Sequence, residues 1–418
     1  MKWESLGAPE PAQDVLAHME AMRTHDVRWR NGRAFSLAYS AGADVLEVAE
    51  LAYRSFSGEN ALNTDAFPSL RTMSEWVVNI GLGWTHAPEG AAGFMTSGGT
   101  ESLILAVRAA VKRAEREGKT GPFNMVLPTS AHAALEKAAS YFDVESRRIS
   151  VGSDWRALPS DMAKAVDSHT VLVVASAPQY PQGVVDPVSD VAAIALSHNI
   201  NCHVDACMGG VTLTFMEKAG LPLPLWDFRV PGVTSISIDL HKYGYTSKGA
   251  GLLLHANKKL RSDQTFMTDN WLGGLYGSSG ILGTKSGGPI ASAYAVMHYL
   301  GEEGYVNATL RARDTALKIA RHIESSSDLI LRAFPDTTLL ALGARHPESL
   351  DVYKVADALG SRGWYVDRQG PPPSLHMTVG SVHADVVDEF LHDFDTSVSD
   401  AGASSDTSRG GSGAYGTM

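Results

Sequence analysis

The sequence predicts an α/β protein, with a mostly parallel central sheet covered by helices on both faces and a smaller C-terminal α+β domain. Three observations predict it. From about residue 70, short apolar runs of strand length alternate with helical stretches. Strands that alternate with helices build a parallel sheet buried on both sides. A glycine-rich stretch at 273–288 then divides the 418 residues, a length that suits two or three structural units.

The elements follow in order. Val15, Leu16, Met19 and Met22, and then Val45, Leu46, Val48 and Ala49, recur at helical spacing, so residues 1–55 read as an N-terminal helical segment. A loop with Asn31-Gly32 and Gly42 separates the two groups. Residues 56–290 form the large domain. Its first strong helix follows Gly98-Gly99, carries Leu103, Ile104, Ala106, Val107, Ala110, Val111 and Ala114 on one stripe, and stops at Gly118 after a charged run. Strands are expected at 125–127, 171–175, 203–205, 235–238 and 252–254. A helix is expected over 187–198, with Asp186 as its cap and Pro187 in its first turn. The small domain, 291–395, opens with helices over 291–300 and 305–325. Residues 396–418 are rich in Ser, Gly, Asp and Thr and read as a disordered tail.

Composition excludes several classes. Thirty-five Lys and Arg against 46 Asp and Glu give a net charge of −11, which argues against a nucleic-acid binder or a binder of anionic membrane. Two cysteines exclude a disulfide framework and suit a reducing compartment. No apolar run is long enough to span a bilayer and the N-terminus does not read as a secretory signal, so a cytoplasmic protein without a transmembrane anchor is expected. HExxH, CxxC, GxSxG and GxxxxGK[ST] are absent.

Three segments carry candidate chemistry. In Thr96-Ser97-Gly98-Gly99-Thr100-Glu101-Ser102, two glycines and flanking hydroxyls stand at the mouth of a helix. Free backbone N–H groups and the helix dipole favour a phosphate there, although a plain helix cap has the same composition. In Cys202-His203-Val204-Asp205-Ala206-Cys207 the spacing does not suit zinc. Asp205 sits at the carboxyl end of a buried strand, where open α/β sheets build their sites, and needs a cationic partner. That partner is either a structural ion pair or a protonated pyridine nitrogen. In Ser235 to Tyr245 a strand runs into His241-Lys242. A lysine beside an imidazole can stay partly neutral and attack an aldehyde; the alternative is a solvated loop lysine. Together with His132, placed after a strand to stack on a ring, these segments match the requirements of pyridoxal 5'-phosphate.

The stretches TSGGTES (96–102), SAHAALEKAASYF (130–142), ASAPQYPQGVVDPV (175–188), HVDACMGG (203–210), FMEKAG (215–220), DFRVPGVTSISIDLHKYGYTSKG (227–249) and PPSLHMTVG (372–380) resemble the sphingosine-1-phosphate lyases, within the pyridoxal-phosphate decarboxylases of fold type I. The resemblance implies roles. Lys242 would bond the cofactor aldehyde, Asp205 would pair with the ring nitrogen and His132 would stack on the ring. Ser97, Gly98, Gly99, Thr100, Ser237 and His241 would hold the cofactor phosphate. Tyr180 matches a tyrosine near the carbon to be cleaved. Tyr39, Asn63 and Lys248 fall at positions used for the substrate phosphate. Three departures stand out: Asn63 replaces a histidine, Gln182 replaces the histidine of a PHG motif, and Lys285 replaces an arginine.

The implied activity is retro-aldol cleavage of a phosphorylated 2-amino-3-hydroxy amine to an aldehyde and phosphoethanolamine. Tyr180, His132 or a phosphate oxygen would take the hydroxyl proton. Decarboxylation of an amino acid, an aldol-direction synthesis on a smaller substrate, and a non-catalytic scaffold are the alternatives; the presence of both Lys242 and Asp205 argues against the last. The resemblance also implies a homodimer with shared sites, in which the loop around 276–279 reaches the partner.

Overall fold

The computed structural model describes residues 6–403. The chain runs α1 (Ala12–Met22), α2 (Ala43–Ser55), α3 (Pro68–Trp84), β1 (Ala92–Thr96), α4 (Gly99–Arg116), β2 (Phe123–Pro128), α5 (Ala134–Phe142), β3 (Val144–Ile149), α6 (Pro159–Ala165), β4 (Thr170–Ser176), α7 (Val188–His198), β5 (Asn201–Asp205), α8 (Gly209–Lys218), β6 (Ser235–Asp239) and β7 (Gly251–His255). It continues through α9 (Lys258–Gln264), the hairpin β8 (Phe266–Thr268) and β9 (Tyr276–Ser278), and α10 (Gly288–Glu324). It closes with β10 (Leu329–Leu331), β11 (Leu339–Ala344), α11 (Val352–Ser361), β12 (Asp367–Gln369), β13 (Ser374–Thr378) and α12 (Val387–Ala403).

Seven strands form the large sheet in the order β1-β7-β6-β5-β4-β2-β3. All neighbours are parallel except β7, which runs antiparallel to β1 and β6. β4, β5, β6 and β7 are buried at every residue; β4 and β7 accordingly carry continuous apolar stretches, whereas β5 and β6 interleave buried polar residues that serve the site. The pleat still sorts side chains by face. Val126 and Val173 enter the core shared with α3, α7 and α8, whereas Met125, Leu127, Leu172 and Val174 enter the core beneath α4 and α5. The small sheet, β10-β11-β13-β12, is antiparallel, and Leu340, Leu342, Leu375 and Met377 pack against Val355, Leu359, Phe390 and Phe394.

Several expected boundaries move. The two helices expected after residue 290 are present and run on from one another as α10, divided by a kink at Gly301, whose φ of 56° and ψ of −169° only glycine adopts readily. Ile290, Ala291, Val296 and Tyr305 serve the large core, and Ala316, Ile319 and Ile323 serve the small one. The core therefore changes hands inside this helix and not at 290. Residues 1–55 do not form a unit of their own either. Phe35 enters the small core and Val45 and Ala49 the large one, while all of α1 is exposed. Helix α12 extends through Ala403 because Ser397 and Ala401 are buried, so the tail begins later than 396; residues 404–418 lie outside the described residues. Asp186 does not cap α7. Pro187 occupies the cap position, and the buried Asp186 carboxylate accepts from Ala157 N and Ser176 N instead.

Candidate active site

The loops that follow β1, β2, β4, β5 and β6 meet along one sheet edge around a cavity of about 330 Å³. This is the carboxyl edge of the parallel strands. Ser97, Gly98, Gly99 and Thr100 line it where β1 turns into α4. No side chain caps α4, so its first N–H groups are left for a ligand. Gly98 has φ 142°, and a Cβ there would stand 2.7 Å from His241 Cε1; a Cβ on Gly99 would stand 2.9 Å from Asp239 Oδ2 and Cys207 Sγ. The turn is held by Glu101, a buried carboxylate that accepts from Ser97 N at 2.5 Å and, through its other oxygen, from Ile281 N at 2.7 Å. Lys285, expected where relatives carry an arginine, lies with its Nζ 4.5 Å from the Phe94 ring centroid and interacts with the Glu101 charge.

Asp205 ends β5 with 8% exposure. Its Oδ1 accepts from Cys207 N at 3.1 Å and Ser237 Oγ at 3.3 Å. Burial alone would raise its pKa, but His132, His203, the Cys207 side chain and Lys242 together hold it below the ordinary carboxylate value. An ionised carboxylate is thus maintained at the cavity wall. Ser237, expected at the cofactor phosphate, is not on that wall. Its hydroxyl is fully buried and taken up by His203 Nε2, Cys207 Sγ and Asp205 Oδ1, so it supports Asp205 instead. Strand alternation accounts for this, because Ser237 is the register partner of Asp205 and lies beside it within the sheet.

Lys242 and His241 both line the cavity. The expectation that a neighbouring imidazole keeps the lysine neutral does not hold. Burial would lower the Lys242 pKa, yet the Asp239 carboxylate 3.0 Å from Nζ outweighs burial and raises it. His241 itself is pushed down by burial, and its Nδ1 and Asp239 Oδ1 are buried without a partner among the described residues. Sequence reasoning missed Asp239. Its only signal was its place three residues before the lysine, on the turn that closes β6.

His132 lies after β2, pushed down by burial and therefore neutral near pH 7, with its Nδ1 accepting from Ala134 N. Tyr180 faces it edge-on, with ring centroids 6.4 Å apart, and both line the cavity. Tyr39 packs on Tyr243 and contacts Met208, which is itself on the wall. Lys248 stands over the Tyr39 ring at 5.0 Å and donates to Leu37 O; burial and the Lys242 charge bring its pKa down to about 8. Asn63 is not brought to this cavity. It sits exposed in the loop after α2, where its Oδ1 accepts from Asp65 N. Gln182 turns its amide to Gln179.

The cavity can therefore hold an aromatic aldehyde bearing a phosphate. Helix α4 offers N–H groups to the phosphate, Asp205 a carboxylate to a protonated ring nitrogen, His132 a flat face, and Lys242 an amine. The unpartnered His241 Nδ1 and the glycine-only turn beside it leave room and polarity at the phosphate end.

Comparison with known proteins gives the same assignment. The pyridoxal-dependent decarboxylase conserved domain matches residues 6–342. The chain is 37% identical over 388 residues to sphingosine-1-phosphate lyase 1 of Rattus norvegicus, covering 92% of this chain and 68% of that protein. It is 37% identical over 396 residues to the sphingosine-1-phosphate lyase of Oryza sativa, covering 93% and 72%. The solved sphingosine-1-phosphate lyase of Burkholderia pseudomallei superposes with a TM-score of 0.90 at 32% identity, over 96% of this chain and 93% of that one. A Lactobacillus brevis glutamate decarboxylase, at 20% identity and TM-score 0.86, shares the fold over 97% and 96% of the two chains.

Proposed function

We propose a function from one premise: the chain belongs to the pyridoxal-dependent decarboxylase family and, within it, to the sphingosine-1-phosphate lyases. It is a pyridoxal 5'-phosphate-dependent lyase that cleaves a sphingoid base phosphate to a long-chain aldehyde and phosphoethanolamine. One observation carries this reading: an amine, an ionised carboxylate and an uncapped helix N-terminus share a single cavity whose wall includes Tyr180. The decarboxylase alternative is not favoured, since the relatives at 31–37% identity are lyases.

Bound in this cavity, the cofactor supplies an electron sink for a bond broken at the amino-bearing carbon. The chain's own residues do the rest. Ser97, Gly98, Gly99 and Thr100 at the start of α4, with His241, hold the phosphate. Asp205, kept ionised, holds a proton on the ring nitrogen. Lys242 would hold the aldehyde through its amine and would carry the proton delivered to carbon. His132, on the cavity wall, would cover one ring face and keep water from it. Lys248 and Tyr39 offer a cation and a phenol to the substrate's phosphate, and Tyr180 faces its hydroxyl.

A homodimer is proposed as the working assembly. Support comes from the exposed apolar residues Trp271, Leu272, Leu275, Ile281 and Leu282, close together in sequence in and after the β8–β9 hairpin. A cytoplasmic location is proposed with it, in keeping with two free, buried cysteines. The test is direct. Purified holoenzyme incubated with sphingosine phosphate is expected to release aldehyde and phosphoethanolamine, and Lys242→Ala to lose both that release and the borohydride-reducible link to the cofactor. Carbon dioxide from amino acids without aldehyde from the phosphorylated base would overturn the reading.

A further inference from the structure

Tyr180 stands between two spaces. It lines both the cofactor cavity and a second cavity of about 620 Å³. Its hydroxyl donates to Asp367 Oδ2 at 2.7 Å. A phenol has one proton to give. With that proton directed at Asp367, the oxygen presents lone pairs, the polarity needed to accept from a substrate hydroxyl.

Asp367 reaches this position from the small sheet, where it opens β12 in register with His376. It is 8% exposed, and the same Oδ2 also accepts from Ser36 Oγ. No salt bridge among the described residues reaches it. The neighbouring Arg368 guanidinium pairs with Asp357, and His376, its ring 4.2 Å from that of Tyr180, is held neutral by burial, which brings it down to about 4. Asp367 thus presents a buried carboxylate held by two hydroxyl donors, with no cation among the described residues paired to it.

We propose that Asp367 is a positioning residue and the terminal proton acceptor of the cleavage step, acting through Tyr180. The substrate O–H bond breaks as its proton moves to the Tyr180 oxygen, and the former Tyr180 O–H bond breaks as that proton moves to Asp367. The substrate oxygen's electron pair becomes the second bond of the aldehyde carbonyl, and the carbon–carbon pair stays with the amino-bearing carbon. Asp367 also lines the second cavity, through which the proton can return. The inference rests on the lyase reading above.

Asp367→Asn tests it, because an amide can still accept the Tyr180 hydrogen bond but cannot keep the proton. In the holoenzyme, kcat for aldehyde release is expected to fall about 10²-fold, with KM changed less than about threefold. Cofactor content, read by absorbance and borohydride trapping, stays at the wild-type level. Tyr180→Phe is expected to lose a similar factor, and the double variant no more than the worse single one, since the two act as a unit. A kcat for Asp367→Asn within about threefold of wild type, or losses that multiply in the double variant, would overturn the proposal. A second measurement needs no turnover. In holoenzyme carrying ring-labelled tyrosine, the Tyr180 resonance, identified by its loss in Tyr180→Phe, moves in Asp367→Asn; an unmoved resonance refutes the contact. Failure of the wild type to release aldehyde counts against the lyase reading, and the labelled tyrosine then decides the contact by itself.

Discussion

Replacing Gly98 by alanine probes the cofactor turn with the least chemical change. The residue has φ 142° and ψ −177°, a region essentially reserved for glycine, where a side chain costs about 1–3 kcal/mol. The new Cβ would meet His241 Cε1 at 2.7 Å, with both ring nitrogens at 3.6 Å. The His241 backbone is tied to Ala250 O, so only its ring can yield, and it must leave the phosphate end to do so. If the full strain is felt in the loaded state, cofactor affinity falls by roughly 5- to 150-fold. The assay is titration of cofactor-free protein with pyridoxal 5'-phosphate, followed by absorbance, beside thermal unfolding. Gly90→Ala is the control: its φ of 83° imposes strain, but nothing lies within 4 Å of the added carbon. That variant is expected to lose stability and keep its affinity. Affinity of Gly98→Ala within twofold of wild type, or an equal loss in Gly90→Ala, would refute the reasoning.

Three further expectations concern charge and packing. Asp239→Asn removes the partner that keeps Lys242 protonated, so loading of the cofactor-free protein should be faster at pH 7 and its rise with pH should move to lower pH; an unmoved profile by stopped-flow absorbance would dismiss this role. Gly183→Ala, at φ 77°, brings a Cβ to 2.4 Å from Leu339 O, backbone that cannot turn aside, and is expected to cost about 1–3 kcal/mol or more in urea unfolding; a variant as stable as wild type would contradict the packing between this loop and β11. Burial brings His203, His376 and His383 down to about 4, below the ~6.5 of an unfolded chain. The unfolded state then binds protons first, so stability is full above about 6.5 and declines as pH falls toward 4. A thermal midpoint that stays flat across that window would be inconsistent with three neutral buried imidazoles.

What could be read from the sequence was local. The apolar runs of β4 and β7 announced a doubly covered sheet, and Gly98-Gly99 ahead of an amphipathic stripe announced a helix that starts at a ligand. What could not be read depends on residues brought from far away. Glu101 looks like an ordinary first-turn acid until Ile281, 180 positions on, gives it a second N–H. Asp367 has no motif, and its meaning comes from a tyrosine 187 residues earlier. Ser237 misled because a hydroxyl near the lysine in sequence is, in the pleat, turned to the neighbouring strand. The boundary within α10 was hidden for a related reason: the helix stays amphipathic while the core it serves changes.

The bend at Gly301 acts as a lever. From that residue to Glu324 the helix is about 35 Å long, so one degree of tilt at its origin displaces the far end by about 0.6 Å. A phenol–carboxylate contact loses its geometry over a few tenths of an ångström. The registration of the two halves of the molecule, and with it the meeting of Tyr180 with an acid carried on the other half, is therefore encoded partly in the torsion angles of a residue without a side chain.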